Sequence, residues 1–360
     1  MINLNVQINA SEKKYPIRIN NNDIQELYNE VLDITGKNNL FAVISEKVFK
    51  LYGNFLNLPK ERIFVLKDGE KEKNFKTYQK ILTAALKVKL TRNDFIIAVG
   101  GGVCGDIAGF AAATYMRGIH LIQIPTTLLA CVDSSVGGKT GIDTDFGKNL
   151  VGAFYQPDAV LINTNFIKTL DEKQMKTGLG EVVKYAFIEN SCKCDEEFNL
   201  INFLSLNSEK ILSRDNKTLE ELIKICISLK KSVVEKDEKE GGLRKILNFG
   251  HTYAHAVEKL TKYKKYTHGE AVVKGIEFVF SLALKMGIIV ESYKFIAEDL
   301  IKKYNFKKIP DFDIKKIVAE MKLDKKATAE SIVLILPTDC AVVKEYQMFD
   351  NEILKYFDQN

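Results

Sequence analysis

The stretch FIIAVGGGVCGDIAGFAAATYMRG, residues 95–118, contains a strand, a glycine turn and the start of a helix in direct succession. Gly100, Gly102 and Gly105 satisfy the pattern G-x-G-x-x-G, whose glycines permit a close approach of the backbone to a phosphate at the helix N-terminus. No acidic residue follows about 20 positions later to hold an adenosine ribose, so this is not the standard Rossmann fingerprint. The stretch predicts a parallel α/β unit. As a bare pattern it is equally consistent with nucleotide binding and with a tightly packed turn.

Strand-like runs alternate with helix-like segments on both sides of this stretch. They are LFAVIS (40–45), RIFVL (62–66), HLIQIP (120–125) and AVLIN (159–163). This alternation predicts a Rossmann-like parallel sheet. Beyond about residue 175, amphipathic helical patterns such as residues 219–236 and 269–287 dominate, and SIVLILP (331–337) is a late strand. We therefore predict an α/β domain over residues 1–172 and a mainly helical domain over residues 173–360.

The composition is that of a soluble globular protein. Of the 360 residues, 46% are hydrophobic and 28% are charged, and no apolar run is long enough to span a bilayer. The first residues have no apolar signal-peptide core, which predicts a cytoplasmic protein. The net charge of +5 is modest, and lysine-rich stretches such as Lys262–Lys265 indicate solvated helix faces rather than a nucleic-acid site. Six scattered cysteines indicate free thiols.

The segment LNFGHTYAHAVE, residues 247–258, places two histidines four residues apart on one helical face. Zinc proteases carry a glutamate directly after the first histidine of such a pair, but this chain has Thr252 there. Three of the four histidines lie between residues 251 and 268. From these residues alone, the pair is either a surface or core feature or part of a site with other chemistry.

Six longer blocks of sequence are more specific than the glycine pattern or the histidine pair. They are residues 100–118, IPTTLLACVDSSVGGKTGID (124–143), GKNLVGAFYQP (147–157), GLGEVVKYAFI (178–188), GGLRKILNFGHTYAHAVE (241–258) and HGEAVVKG (268–275). Together they resemble the 3-dehydroquinate synthases from about residue 65 to 275. The resemblance is weaker in residues 321–326 and 331–337. The resemblance implies an NAD-binding α/β domain and a helical metal- and substrate-binding domain, with the active site between them. It also implies a homodimer.

The implied reaction converts 3-deoxy-D-arabino-heptulosonate 7-phosphate to 3-dehydroquinate and phosphate. It proceeds by oxidation, phosphate elimination, re-reduction, ring opening and aldol closure. By the same resemblance, Glu181, His251 and His268 bind Zn²⁺ or Co²⁺, and three protein ligands leave open positions for substrate. His255 is then not a ligand and faces the substrate phosphate.

The resemblance also assigns the substrate and cofactor contacts. The residues for phosphate are Lys139, Asn149, His255, Arg117 (reaching across from a partner subunit) and Lys325 or Lys326. Those for the carboxylate are Lys230 and Arg244, and those for ring hydroxyls are Asp133, Lys184 and Asn248. The residues for NAD are Asp68, Gly69, Glu70, Lys71, Glu72, Lys73, Gly102, Val103, Cys104, Gly105, Asp106, Thr126, Thr127, Lys139, Lys148, Phe166, Ile167, Lys168 and Thr169. One departure is Ser45, which stands where many relatives place an acid after the second strand, and Glu46 follows it.

Three other functions are compatible with parts of the pattern. Related sugar phosphate cyclases make inosose, valiolone or amino-dehydroquinate products, but Lys230, Arg244 and His255 suit a substrate with both carboxylate and phosphate. A metal-dependent polyol or alcohol dehydrogenase would release NADH, and the blocks VDSSVGGKTG (132–141) and LNFGHT (247–252) argue against it. A non-catalytic NAD-binding protein would not need the metal ligands.

Overall fold

The computed structural model of the chain describes residues 13–323 and 331–357. Ten strands lie within these residues: β1 (Ile17–Asn20), β2 (Leu40–Ser45), β3 (Ile63–Leu66), β4 (Phe95–Gly100), β5 (His120–Pro125), β6 (Lys139–Thr144), β7 (Gly147–Phe154), β8 (Ala159–Asn163), β9 (Ile332–Asp339) and β10 (Val342–Met348). Six of them form one parallel sheet in the order β1-β8-β5-β4-β2-β3. The predicted α/β class and the predicted strands are confirmed.

The helices flank the sheet and make up most of the second half. Within the described residues they are α1 (Leu27–Thr35), α2 (Glu46–Tyr52), α3 (Phe75–Lys87), α4 (Gly102–Thr114), α5 (Asn165–Lys168), α6 (Glu172–Ile188), α7 (Leu200–Leu212), α8 (Asn216–Lys236), α9 (His251–Leu260), α10 (His268–Lys285), α11 (Glu291–Lys303), α12 (Ile314–Lys322) and α13 (Asp350–Phe357). None of these helices is long and apolar enough to cross a bilayer. The domain boundary at residues 172 and 173 stays a prediction, and α6 begins there.

The central strands are apolar on both faces because both faces of the sheet are covered. In β2, Leu40, Ala42 and Ile44 pack into one core, whereas Phe41 and Val43 pack into the core on the opposite side. A third and larger core fills the helical half and is built around α6, most of whose side chains are buried.

The strand order reverses direction between β2 and β4. From β2 the chain moves outward to β3, and it then returns to place β4 on the other side of β2. In open α/β sheets, ligands bind in the crevice at the carboxyl ends of the strands where the order reverses. Here Ser45 ends β2 and Gly100 ends β4, and a Cβ added to Gly100 would lie 3.2 Å from the Cβ of Ser45. The glycine turn of the opening stretch therefore lies at this crevice.

Two antiparallel hairpins were not predicted as hairpins, although the late strand at residues 331–337 was predicted and corresponds to β9. Strands β6 and β7 pair Lys139 with Phe154, and β9 and β10 pair Ile332 with Met348. Exposed residues alternate with more buried ones along β7, so this strand lacks the continuous apolar run that identified the parallel strands and β9. The first hairpin carries Lys139 and Lys148 to Glu240 and Tyr263 of the helical half, whereas its Asn149 contacts Lys73.

Candidate active site

Close contact between α6 and α10 positions the first two candidate metal ligands, Glu181 and His268. A Cβ added to Gly180 would lie 2.3 Å from the carbonyl oxygen of Gly269, and one added to Gly269 would lie 2.3 Å from that of Thr177. The two helices thus cross with backbone against backbone, which larger residues would prevent. Glu181 and His268 are the direct neighbours of these glycines, so the crossing brings their side chains together.

The third candidate ligand is placed by a second contact of the same kind. His251 opens α9, and Gly250 before it has a φ of +76°, in the left-handed region that favours glycine. A Cβ added to Gly275 on α10 would lie 1.9 Å from the carbonyl oxygen of Gly250. This contact holds the start of α9 against α10.

Glu181, His251 and His268 form a compact cluster whose candidate ligand atoms all lie within 4.8 Å of one another. Glu181 Oε1 is 3.4 Å from His251 Nε2 and 3.2 Å from His268 Nε2. This oxygen is buried and has no hydrogen-bond partner among the described residues. A buried carboxylate oxygen that faces two imidazole nitrogens without hydrogen-bond geometry is the arrangement expected around a cation.

The charges in the cluster also suit a cation. Burial opposes ionisation of Glu181, but Lys184 and His251 outweigh it and hold the pKa of this carboxyl well below its usual range. Burial lowers the pKa of His251 to about 4, which keeps its imidazole neutral at physiological pH. Burial also tends to lower the pKa of His268, but the contacts with Glu181 and Glu258 outweigh burial and raise this pKa to about 10. His251 is therefore ready to bind a metal, whereas His268 must first lose a proton.

His255 lies beside this cluster. Its ring centroid is 5.7 Å from that of His251 and 6.5 Å from that of His268. The cluster of ligand atoms among the described residues does not include His255.

A hydrogen-bonded network around Asp133 adjoins the cluster. Asp133 lies in a single π-helical turn, Ala130–Ser134, a feature frequent at functional sites. Its Oδ1 accepts hydrogen bonds from Tyr185 Oη at 2.8 Å and Lys230 Nζ at 2.9 Å. Lys184 Nζ contacts Glu181 Oε2 at 2.5 Å, and its charge also acts on Asp133.

Charge compensation keeps this network ionic. Burial opposes the charge on Asp133, yet Lys230 and Lys184 lower the pKa of its carboxyl to about 2. Burial lowers the pKa of Lys230 to about 8, although Asp133 acts against this shift. Lys230 is therefore protonated at neutral pH, and it loses its charge in mildly alkaline solution.

Arg244 is almost fully buried beside the same network. Its Nη2 donates to the carbonyl oxygen of Gly137 at 3.0 Å, and its Nη1 donates to that of Glu238. Its Nε is buried and has no hydrogen-bond partner among the described residues. The guanidinium group, which the resemblance assigns to the substrate carboxylate, is thus held by backbone carbonyls and keeps one unpaired donor.

Glu240 connects two residues predicted to bind substrate. Its Oε2 forms an ion pair with Lys139 Nζ, and its Oε1 accepts a hydrogen bond from Asn248 Nδ2 at 2.7 Å. Lys139 belongs to the β6–β7 hairpin, whereas Asn248 comes just before α9. Glu240 therefore joins the two halves of the site.

Comparisons with known proteins identify the family of the chain. The family model described as 3-dehydroquinate synthase N-terminal matches residues 63–177, and the one described as 3-dehydroquinate synthase C-terminal matches residues 178–327. The chain belongs to the 3-dehydroquinate synthase family. A 3-dehydroquinate synthase of Dictyoglomus thermophilum is 41% identical over 339 residues, which cover 94% of this chain and 93% of that protein.

Two solved structures share the fold. A 2-deoxy-scyllo-inosose synthase complexed with carbaglucose-6-phosphate, NAD⁺ and Co²⁺ has a TM-score of 0.81 and 26% identity, covering 94% of this chain and 95% of that one. A 2-epi-5-epi-valiolone synthase from Streptomyces hygroscopicus subsp. jinggangensis has a TM-score of 0.83 and 21% identity, covering 99% of this chain and 100% of that one.

The sheet edge of this 3-dehydroquinate synthase family member carries the residues predicted to bind NAD. Helix α4 begins at Gly102 directly after the glycine turn, and no side chain caps its N-terminus. The N–H groups of Gly102, Val103 and Cys104 in its first turn are therefore directed at the crevice. The Cys104 side chain points into the core, where burial raises the pKa of its thiol to about 12, so any contact with a cofactor would come from its backbone.

Charged residues link this edge to the hairpin. Lys73 Nζ is 2.5 Å from both Asp106 Oδ2 and Asn149 Oδ1. Burial tends to lower the pKa of the Lys73 ammonium group, but the contact with Asp106 outweighs burial and raises this pKa. Lys148 Nζ is 3.7 Å from Glu70 Oε1 and 4.5 Å from the centre of the Tyr263 ring.

The remaining residues predicted to contact NAD differ in how accessible they are. Asp68, Gly69 and Lys71 are exposed, and Glu72 is partly so. Thr126 and Thr127 follow β5 at the same sheet edge. The Phe166 and Ile167 side chains are buried in the core, so Lys168 and Thr169 are the members of that segment with accessible side chains. Glu46 forms an ion pair with Lys50 on its own helix, at 2.9 Å.

One predicted phosphate contact, Arg117, is not joined to the cluster of its own chain. Arg117 is exposed in a turn after α4, where Met116 and Arg117 have φ angles of +48° and +66°. Among the described residues, no hydrogen bond or ion pair joins Arg117 to the site. Lys325 and Lys326 lie outside the described residues.

Three site residues were missed in the sequence reasoning. Glu258 contacts His268, Tyr185 contacts Asp133, and Glu240 contacts Lys139 and Asn248. The first two had a usable signal, because Glu258 follows His251 by two helical turns and Tyr185 follows Glu181 by one. Glu240 lies in the charged run EKDEKE, where nothing distinguishes it from solvated neighbours.

Proposed function

We propose that this protein is a 3-dehydroquinate synthase, a phosphate-eliminating carbon–oxygen lyase that converts 3-deoxy-D-arabino-heptulosonate 7-phosphate to 3-dehydroquinate and phosphate. The observation that carries the proposal is the Glu181, His251 and His268 cluster with its unpaired carboxylate oxygen. Its surroundings support a substrate with both carboxylate and phosphate groups. Lys184 contacts Glu181, Lys230 pairs with Asp133, and the charge of Arg244 acts on Lys230. Lys139 pairs with Glu240, which also binds Asn248.

Glu181, His251 and His268 would hold the metal. Two imidazoles and one carboxylate are a donor set typical of catalytic zinc, and three ligands leave room for substrate oxygens. Co²⁺ is an alternative, since the related inosose synthase was solved with it. When bound, the metal supplies Lewis acidity toward hydroxyl and carbonyl oxygens.

NAD would bind at the crevice between β2 and β4, with its pyrophosphate at the uncapped start of α4. NAD⁺ supplies reversible hydride acceptance, and the inosose synthase of the same fold was solved with it. Glu70, Lys73 and Lys148 would contact the ribose and nicotinamide end. Ser45, which ends β2, cannot accept hydrogen bonds from both hydroxyls of the adenosine ribose as a carboxylate does, so the adenosine ribose would rely on other residues.

Side chains of the protein would bind and orient the substrate. Lys230 and Arg244 supply positive charge to the carboxylate, and Arg244 has an unpaired Nε donor for it. Among the described residues, the hydrogen bonds to the Asp133 side chain go to Oδ1. Oδ2 is therefore available to accept a hydrogen bond from a ring hydroxyl. Lys139, Asn149 and His255 would face the phosphate, and His255 suits proton transfer near the leaving group.

The assembly is also part of this proposal. We expect a homodimer in which Arg117 of one subunit reaches the phosphate site of the other. Its exposed position away from the cluster of its own chain supports that role. The cytoplasmic location stays a prediction.

Product formation with catalytic amounts of NAD⁺ tests the proposal. Because oxidation and re-reduction occur in one cycle, we expect many turnovers per NAD⁺, with phosphate and 3-dehydroquinate formed in equal amounts. The measurement is phosphate release from the heptulosonate phosphate with Zn²⁺ present, with the product identified by mass spectrometry. Accumulation of one NADH per substrate would instead indicate a dehydrogenase. Chelation should abolish turnover, and Zn²⁺ or Co²⁺ should restore it.

A further inference from the structure

The His268 ring lies between two carboxylates. Its Nε2 faces Glu181 Oε1 at 3.2 Å, and its Nδ1 faces Glu258 Oε1 at 3.4 Å. An imidazole that binds a metal through one nitrogen needs a hydrogen-bond acceptor at the other, because that acceptor fixes the tautomer and the ring orientation. Glu258 occupies the acceptor position.

The two histidines of the cluster have matching arrangements. His251 Nδ1 lies 3.1 Å from the carbonyl oxygen of Phe249, and its Nε2 faces Glu181. In each histidine, therefore, an oxygen lies at Nδ1 and the Nε2 atom is turned to the same carboxylate. The acceptors differ in charge, since His251 has a neutral carbonyl whereas His268 has a carboxylate.

The position of Glu258 is fixed by the helix that carries His251. Glu258 lies two turns after His251 on α9, so both side chains are on the face that meets α10. The residue is largely buried, and the turn that follows is anchored to it because Tyr263 N–H donates to its carbonyl oxygen at 2.7 Å. His268, Lys148 and His255 are the bases whose charges act on its carboxylate. A carboxylate buried in this way is stabilised as an anion by pairing with its basic neighbours.

We propose that Glu258 is a positioning residue for the metal site, whose carboxylate accepts the Nδ1–H of His268 and thereby keeps Nε2 as the nitrogen for the metal. This inference rests on the metal site of the proposed function. It assigns to Glu258 two effects on His268, namely restricted rotation of the ring and greater basicity of Nε2. Loss of the carboxylate should therefore weaken metal binding without removing a ligand.

Zinc affinity of two variants tests this role. In Glu258→Ala the acceptor is gone, and we expect a dissociation constant for Zn²⁺ about 10–100-fold higher than in wild type. In Glu258→Gln the amide oxygen can still accept the Nδ1–H bond but carries no charge, so we expect a smaller loss. The measurement is competition with a chromogenic chelator. The control is Glu277→Gln, which removes one carboxylate from the exposed face of α10, where Glu277 pairs with Lys274.

Two further readouts separate positioning from a purely structural role. The visible absorption of the Co²⁺-loaded protein reports ligand geometry, and we expect its bands to shift in Glu258→Ala and to coincide with wild type in Glu277→Gln. The melting temperature is measured without metal and with Zn²⁺, and the stabilisation by Zn²⁺ should shrink in both Glu258 variants. A lower melting temperature without metal, together with wild-type zinc affinity, would make Glu258 structural and overturn the inference.

The outcomes distinguish this inference from the proposed function. Wild-type zinc affinity and Co²⁺ spectrum in both Glu258 variants would overturn the positioning role and leave the metal site intact. Absence of zinc binding by the wild-type protein would overturn the metal site and the positioning role together.

Discussion

At the residue scale, His268 determines the proton balance of metal binding. In the metal-free protein its pKa is about 10, whereas that of His251 is about 4. A metal binds only the deprotonated imidazole nitrogen, so between these pH values one proton must leave for each ion bound. The apparent affinity for Zn²⁺ should therefore rise about tenfold per pH unit near neutrality.

Zinc titrations at about pH 6 and about pH 8 test this dependence, with an expected difference of about 100-fold. Calorimetry in buffers of different ionisation enthalpy should show one proton released per zinc. An affinity that is the same at both pH values would mean that His268 is already neutral before the metal binds, against the effect of its two carboxylate neighbours.

The two histidines of α9 should respond differently to substitution. His251→Ala removes a candidate ligand, and we expect zinc affinity to fall by about 100-fold or more. His255→Ala should keep its zinc and lose catalysis, since His255 stands beside the cluster. The measurement is bound zinc per chain after dialysis, with phosphate release measured in parallel. Equal loss of zinc in both variants would make His255 a ligand and contradict the assignment.

At the element scale, the crossing of α6 and α10 is the feature that assembles the cluster. An added Cβ at Gly269 would meet the backbone of α6 at 2.3 Å, a contact that side-chain motion cannot relieve. Gly269→Ala should therefore separate the helices, reduce zinc binding and destabilise the protein by about 1–3 kcal/mol.

Gly241→Ala is the matched control for this substitution. Gly241 lies near the site, but within 4 Å an added Cβ would meet only Asp237 Oδ1, at 3.9 Å. Zinc content and denaturant unfolding of both variants are the measurements. A Gly269→Ala protein with wild-type zinc content would show that the ligands do not depend on the close crossing.

Strands that are buried on both faces could be predicted from the sequence, whereas a partly exposed strand could not. Strands β2 and β4 are covered on both faces, so their apolar runs LFAVIS and FIIAVG stand out and their bounds were predicted. Strand β7 alternates between partly buried and exposed residues, and its glycines and polar residues hide the pattern. The sequence around Lys139 was therefore recognised as a motif, but its hairpin structure was not predicted.

The site residues follow a similar rule. His251 and His268 are conspicuous because the chain has four histidines, whereas Glu258 is one of 47 acidic residues. Its contact with His268 joins two helices, and that distance depends on how α9 packs against α10. Spacing along one helix could have placed Glu258 on the same face as His251, but it could not have identified the partner.

At the scale of the whole molecule, the site joins the sheet-bearing half to the helical half. Lys139 and Lys148 project from the β6–β7 hairpin to Glu240 and Tyr263 of the helical half. The cofactor edge and the metal cluster are therefore connected by ion pairs and a cation–π contact rather than by the core alone.

Arg117 extends this argument to the proposed homodimer. If it completes the site of the partner subunit, Arg117→Ala and His251→Ala proteins should each be inactive as homodimers. A heterodimer of the two has one complete site, because the subunit with an intact His251 receives an intact Arg117 from its partner. The other site lacks both groups.

Co-expression of the two variants with different affinity tags supplies the mixture. Random pairing makes half of the dimers mixed, and each mixed dimer has one complete site of two, so the mixture should recover about a quarter of wild-type activity. Heterodimers isolated through both tags should reach about half. If Arg117 serves its own subunit instead, each site in the heterodimer lacks one essential group, and the isolated heterodimer will be as inactive as its parents.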